Sequence, residues 1–194
     1  MMRKASIERI TYETDVKLEL NMDGTGQANI QTGIGFMDHM LTLLTKHGQI
    51  DMSLQCNGDI GVDGHHSIED IGIVMGKAFR EALGDKKGIA RYAFELTPMD
   101  ETLVQTALDI SGRAYLVFNA EFPAPMVGDL DTELIEEFFR AFVNHAQITL
   151  HIQLLYGKNT HHMIEAIFKS FGRVLNKATK IESDEIMSTK GIIE

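Results

Sequence analysis

The feature that most constrains this chain is a five-residue pattern that occurs twice. His65-His66-Ser67-Ile68-Glu69 recurs as His161-His162-Met163-Ile164-Glu165, 96 positions later (161 − 65). Each copy follows a Gly-containing turn and opens a run of apolar residues at helical spacing, such as Ile68, Ile71, Val74, Met75, Phe79 and Leu83 after the first. The surrounding elements keep one order. Before the first copy, residues 6–12 and 15–20 alternate like strands, 36–48 have helical spacing, and 49–56 alternate again. Before the second copy, 91–97, 103–110 and 114–119 read as strands, and a loop carries Pro123 and Pro125. A helix then spans 131 to about 144, with Asp131 or Thr132 as its N-cap, and 149–155 form a strand. Helices over 65–83 and 161–180 close the two halves. The pattern predicts an α+β fold of duplicated half-domains, 1–90 and 91–194, sharing one core.

On a helix, residues three or four apart share a face. Either histidine of a pair can therefore meet the glutamate on one ion. Adjacent residues point about 100° apart, so the two histidines of a pair serve different ions, or ions shared with another subunit. A single such His/Glu pair is more often an exposed ion pair than a ligand set. Two adjacent-histidine copies at equivalent repeat positions favour metal binding, and mixed imidazole and carboxylate donors suit Mn, Fe, Co or Zn.

Other features narrow the class by exclusion. Lys and Arg number 18 against 28 Asp and Glu, a net charge of −10, which opposes an extended nucleic-acid surface. No apolar run approaches the roughly 18 residues of a membrane span. The lone cysteine, Cys56, fits a reducing compartment, and residues 1–10 lack the apolar stretch of a secretory signal; a cytoplasmic protein is expected.

Four segments, in order, carry a resemblance over essentially the whole chain. They are Gly33-Ile-Gly-Phe-Met-Asp-His-Met40, Asp63-Gly-His-His-Ser-Ile-Glu-Asp70, Gly157-Lys-Asn-Thr-His-His-Met-Ile-Glu-Ala166 leading to Lys169, and the closing Ser188-Thr-Lys-Gly191. Together they resemble the imidazoleglycerol-phosphate dehydratases of histidine biosynthesis. The resemblance implies a helical bundle between two four-stranded mixed sheets. It also implies homo-oligomers, in which trimers assemble through manganese into a 24-mer with active sites shared between subunits and two Mn²⁺ at each.

Carried over position by position, the implied metal ligands are His39, His65, His66 and Glu69, then His161, His162 and Glu165. The last ligand falls on the preceding helix, where many members have His in an E-H-F-F stretch; this chain reads Glu136-Glu137-Phe138-Phe139, which puts Glu137 there. His39 precedes its H-H-x-x-E by 26 residues and Glu137 precedes its own by 24 (65 − 39 and 161 − 137). The resemblance makes Glu13 the acid/base and His47 a catalytic substrate contact. Arg91, Arg113, Lys169, Ser188 and Lys190 are the implied phosphate contacts, and Glu13, His39, His65, Glu69, His161 and Thr189 also line the substrate.

The implied reaction removes water from D-erythro-imidazole-glycerol phosphate to give imidazole-acetol phosphate through an enol. The proton lost sits on a carbon with no carbonyl beside it to stabilise a carbanion. Metal at the ring nitrogens would favour the imidazolate and so help expel the hydroxyl. Two alternatives use the same histidines: a non-catalytic metal-organised shell or storage protein, and a metal-dependent phosphohydrolase.

Overall fold

The structure, a computed structural model, describes residues 3–193; Met1, Met2 and Glu194, at the ends of the two expected half-domain spans, lie outside the described residues. The first half contains β1 (Lys4–Ile10), β2 (Thr14–Asn21), β3 (Ala28–Gln31), α1 (Gly35–Gly48), β4 (Asp51–Gly58) and α2 (His65–Leu83). The second contains β5 (Tyr92–Met99), β6 (Thr102–Asp109), β7 (Tyr115–Asn119), β8 (Met126–Val127), β9 (Leu130–Asp131), α3 (Leu134–Ala146), β10 (Thr149–Tyr156) and α4 (Thr160–Ala178).

Strand registers carry the duplication. The sheets are ordered β1-β2-β4-β3 and β5-β6-β10-β7, and in each the last strand joins its neighbour in parallel. Lys4 faces Asn21 and Tyr92 faces Asp109, so the first hairpin of each half is shifted by 88 positions (92 − 4 and 109 − 21). Asn21 faces Asp51 and Asp109 faces Thr149, so the third strands are shifted by 98 (149 − 51). Both sheets are thus mixed and four-stranded.

Alternation explains the layers. In β2, Val16, Leu18 and Leu20 are buried and the residues between them are not, giving one apolar face that α2 covers. In the second half, α4 covers β5 and β6 in the same way. Between the sheets α2 packs on α3 and α1 on α4, around Phe138, Phe139, Phe142, Phe168 and Phe171, all nearly inaccessible to water. A fully buried side chain of this kind contributes about 1.5–3 kcal/mol. The two helix pairs cross at glycines. A Cβ on Gly76 would lie 2.5 Å from the Phe142 carbonyl oxygen, and one on Gly172 would lie 2.5 Å from that of Leu44. Gly76 and Gly172 differ by 96, and Leu44 and Phe142 by 98, so the two crossings are equivalent and His39 on α1 corresponds to Glu137 on α3 (137 − 39).

Three local expectations change. The short strand β3, largely exposed, is too brief and too polar to show in the alternation pattern. The third helix begins at Leu134 rather than at 131, because Leu130 and Asp131 pair with Val127 and Met126 as a small hairpin. Thr132 is not its N-cap: the hydroxyl donates to the carbonyls of Ala124 and Pro125, both at 3.0 Å. No helix among the described residues is long and apolar enough to cross a membrane.

Candidate active site and metal centre

The repeated motifs sit at the N-terminal turns of α2 and α4, where first-turn side chains project towards loops of the sheets. The Asn159 side chain caps α4 by accepting the backbone N–H of His161 at 2.9 Å. The start of α1 is capped from the other half. Asp129, between β8 and β9, accepts the N–H groups of Gly35 (2.6 Å) and Phe36 (3.0 Å), which fixes the helix that carries His39. Those two bonds hold the Asp129 carboxyl below its usual range, although burial opposes them.

One cluster draws donors from both halves. Nε2 of His161 lies 3.1 Å from Oε2 of Glu165, and Nε2 of His39 lies 3.7 Å from the same oxygen. Among the described residues these three form the only group of His and carboxylate donors gathered tightly enough to hold one ion. Glu165 is buried, which by itself raises a carboxyl pKa. The Lys169 ammonium at 2.5 Å, with His161 and His39, outweighs that burial and keeps the carboxyl below its usual range. Lys169, expected among the phosphate cations, is thus placed at this cluster. His47, two turns along α1 from His39, is depressed by burial and by the nearby charges of Lys169 and Arg173.

The second histidines of the two pairs stand apart from the first. Ring centroids are 6.3 Å apart for His65 and His66 and 6.2 Å apart for His161 and His162, with the rings nearly perpendicular. Nδ1 of His66 lies 3.0 Å from Asp59, and Nδ1 of His162 lies 2.8 Å from Glu101; these hydrogen bonds raise both imidazoles above their ordinary value. Glu101 is correspondingly lowered to about 2, by His162 first and then by the N–H of Asn159. Glu13 lies 3.6 Å from Nε2 of His66. It occupies the turn between β1 and β2, its N–H donating to the Thr11 hydroxyl.

The remaining positions divide further. Arg91, Arg113, Ser188, Thr189 and Lys190 line one cavity of about 650 Å³ that contains no histidine. Arg91, at φ +71°, pairs with Asp109 at 2.8 Å and donates to the Met187 carbonyl at 2.7 Å, tying the tail to the end of β6. The Ser188 hydroxyl accepts the N–H of Lys190, turning the tail back over the cavity. A larger hollow of about 820 Å³ on the outer face of the first sheet, around Lys4, Glu19 and Ser53, holds none of the expected residues. Glu137 joins neither histidine group; Arg140 lies 3.5 Å from it, and the hollow around it is lined by Phe118, Phe122 and Glu136. His65 and Glu69 lie four residues apart at the start of α2, and among the described residues no third donor is gathered with them closely enough to hold one ion.

Asp59, Glu101 and Asp129 escaped the sequence reading. Glu101 had a signal: Glu13-Thr14 recurs as Glu101-Thr102 at the hairpin shift of 88 (101 − 13). Asp59 and Asp129 act across contacts that no local pattern announces.

A duplicated α+β frame that gathers His and carboxylate side chains and carries a separate cationic cavity has the parts of an enzyme acting on a small anionic molecule. Comparisons make this particular. The imidazoleglycerol-phosphate dehydratase family model matches residues 32–175. The imidazoleglycerol-phosphate dehydratase of Clostridioides difficile is 57% identical over 99% of this chain and 100% of its own length; that of Oceanobacillus iheyensis is 59% identical over 98% and 99%. A crystal structure of the Staphylococcus aureus enzyme superposes with a TM-score of 0.84 at 45% identity, covering 92% of this chain and 99% of that one. One from Pyrococcus furiosus gives 0.83 at 34%, covering 96% and 99%. The chain belongs to the imidazoleglycerol-phosphate dehydratase family, and it is a hydro-lyase of histidine biosynthesis.

Proposed function

We propose that this chain dehydrates D-erythro-imidazole-glycerol phosphate to imidazole-acetol phosphate in a manganese-dependent reaction, in the cytoplasm. The observation that carries the metal is the convergence of His39, His161 and Glu165 from two half-domains on one point. Two imidazoles and one carboxylate fit Mn²⁺, whereas Mg²⁺ and Ca²⁺ favour all-oxygen sets. His65, His66, Glu69 and His162 are read as the further ligands, with Glu137 in the place many relatives give to histidine. When bound, manganese supplies Lewis-acid polarisation of the substrate imidazole and a template for it.

The chain's own groups account for the rest. Glu13, exposed beside His66, takes the proton from the carbon one bond beyond the ring-adjacent carbon, and the hydroxyl on the ring-adjacent carbon departs; the hydrogen and hydroxyl lost together make the one water removed. The resulting enol tautomerises to the ketone. Arg91 and Arg113 offer planar donors to phosphate oxygens, Lys190 a point charge, and Ser188 and Thr189 their hydroxyls. His47 and Lys169, on facing helices, contact substrate beside the His39 group. Within one chain the phosphate cavity is lined by none of the histidines, which supports sites built from several subunits; the assembly that the family resemblance implies is trimers joined into a 24-mer.

The deciding assay incubates Mn²⁺-loaded protein with imidazole-glycerol phosphate. Enolisable ketone is the expected product. Phosphate release without ketone would make the chain a phosphohydrolase, and tight Mn²⁺ binding without turnover a metal-organised shell. Chelation should break the particle into small oligomers that Mn²⁺ restores; unchanged light scattering from metal-free protein would contradict metal-held assembly.

A further inference from the structure

The two histidines that face away from the His39 cluster are each held by a carboxylate, and the holders are not repeat equivalents. In the first half the holder is Asp59, the residue after β4, 3.0 Å from Nδ1 of His66. Its counterpart after β10 is Gly157, where a Cβ would lie 2.6 Å from the Thr102 hydroxyl oxygen and 2.9 Å from Cγ of Met163. No carboxylate fits there. Glu101, the repeat counterpart of Glu13, holds Nδ1 of His162 instead, at 2.8 Å. Its other oxygen accepts the N–H groups of Lys158 (3.2 Å) and Asn159 (2.8 Å), which anchors it to the turn that begins α4. Glu13, with its partner imidazole already held by Asp59, stays 3.6 Å from Nε2 of His66 and 54% exposed.

We infer that Glu101 and Asp59 are the positioning residues of His162 and His66, and that Asp59 is what frees Glu13 for proton transfer. The inference rests on reading both histidines as manganese ligands. A carboxylate on Nδ1–H fixes the tautomer, leaves the lone pair on Nε2 and raises the basicity of the ligand; losing such a partner costs about 10- to 100-fold in metal affinity.

The test is calorimetric titration of the metal-stripped protein with Mn²⁺ alone, each variant beside wild type stripped in the same way. Glu101→Gln should weaken binding about 10- to 100-fold, with partial recovery in Glu101→Asp. In a His162→Ala background the same substitution should change affinity by less than about twofold, since a residue acting through His162 has nothing left to position. An equal loss in both backgrounds, or no loss in either, overturns the assignment. Asp59→Asn provides a second variant and should weaken Mn²⁺ binding likewise, while Glu13→Gln leaves it within about twofold. Equal weakening by Asp59→Asn and Glu13→Gln would overturn the division of labour. Wild-type affinity in His162→Ala would instead refute the underlying ligand reading.

Discussion

At the tip of the first hairpin, Glu13 stands off His66 while Asp59 grips the other side of that ring; at the tip of the second, Glu101 grips His162 itself. The backbone frames are the same, with matching registers and equivalent glycine crossings. The difference lies in a few side chains around that frame. His39 completes a compact cluster with His161 and Glu165, whereas its counterpart Glu137 turns towards Arg140. A duplicated scaffold thus keeps packing constant and lets equivalent positions take different chemical work, because helix and strand registers are set by the buried apolar residues rather than by these polar side chains.

The largest effect that could break this comparison concerns the two leading histidines. His161→Ala removes a donor of the compact cluster and His65→Ala its repeat equivalent. Each should lower Mn²⁺ content and reduce turnover by roughly 10²-fold or more, since the Lewis-acid contribution amounts to several kcal/mol. Full metal occupancy by elemental analysis in either variant would remove that residue from the ligand set.

A smaller effect probes the shared frame. Gly76→Ala and Gly172→Ala each place a methyl group against a helix carbonyl, and each should destabilise by about 1–3 kcal/mol in denaturant unfolding. Clearly unequal losses would show that the two crossings are less alike than their geometry.

The smallest effect separates the halves by pH. Glu95 on β5 occupies the hairpin position of Ile7 on β1 (95 − 7 is again 88). It is buried, and burial alone would raise its pKa; Lys177 and Arg173 on α4 outweigh this and lower it from 4.5. A depressed carboxyl stabilises the fold above its unfolded value, and that stabilisation is lost as pH falls through the folded value. Glu95→Leu should therefore flatten the decline of Tm between about pH 5 and 3, by about 2–4 °C for an ion pair worth about 1 kcal/mol. An unchanged slope would mean that the pair contributes nothing to the acid limb.

Most of the fold was legible because the core obeys simple periods. The α2 span emerges from its apolar spacing and from Gly84, and the β1–β2 and β5–β6 hairpins from alternation. The small strands β3, β8 and β9 were not, since two to four residues cannot establish a period. The site was legible in its ligand types and in the doubling of the motif. It was illegible where contacts cross the chain: Asp129 capping α1 from 94 residues away, and Asp59 and Glu101 reaching rings on α2 and α4. The tail's place beside Arg91 and Arg113 likewise rests on long-range bonds, such as Arg91 to Met187 and Gly88 to Glu185, which no short pattern encodes.

On the proposed mechanism Glu13 moves the proton while its repeat counterpart only holds a ligand. Steady-state kinetics of Glu13→Gln, on protein whose Mn²⁺ content is measured in the same sample, tests it most directly. Normal assembly and metal content are expected, with a KM close to wild type and a kcat lower by roughly 10² to 10⁴, the contribution of a positioned acid/base. A kcat within about threefold of wild type at full metal content would contradict it, as would metal and activity lost together.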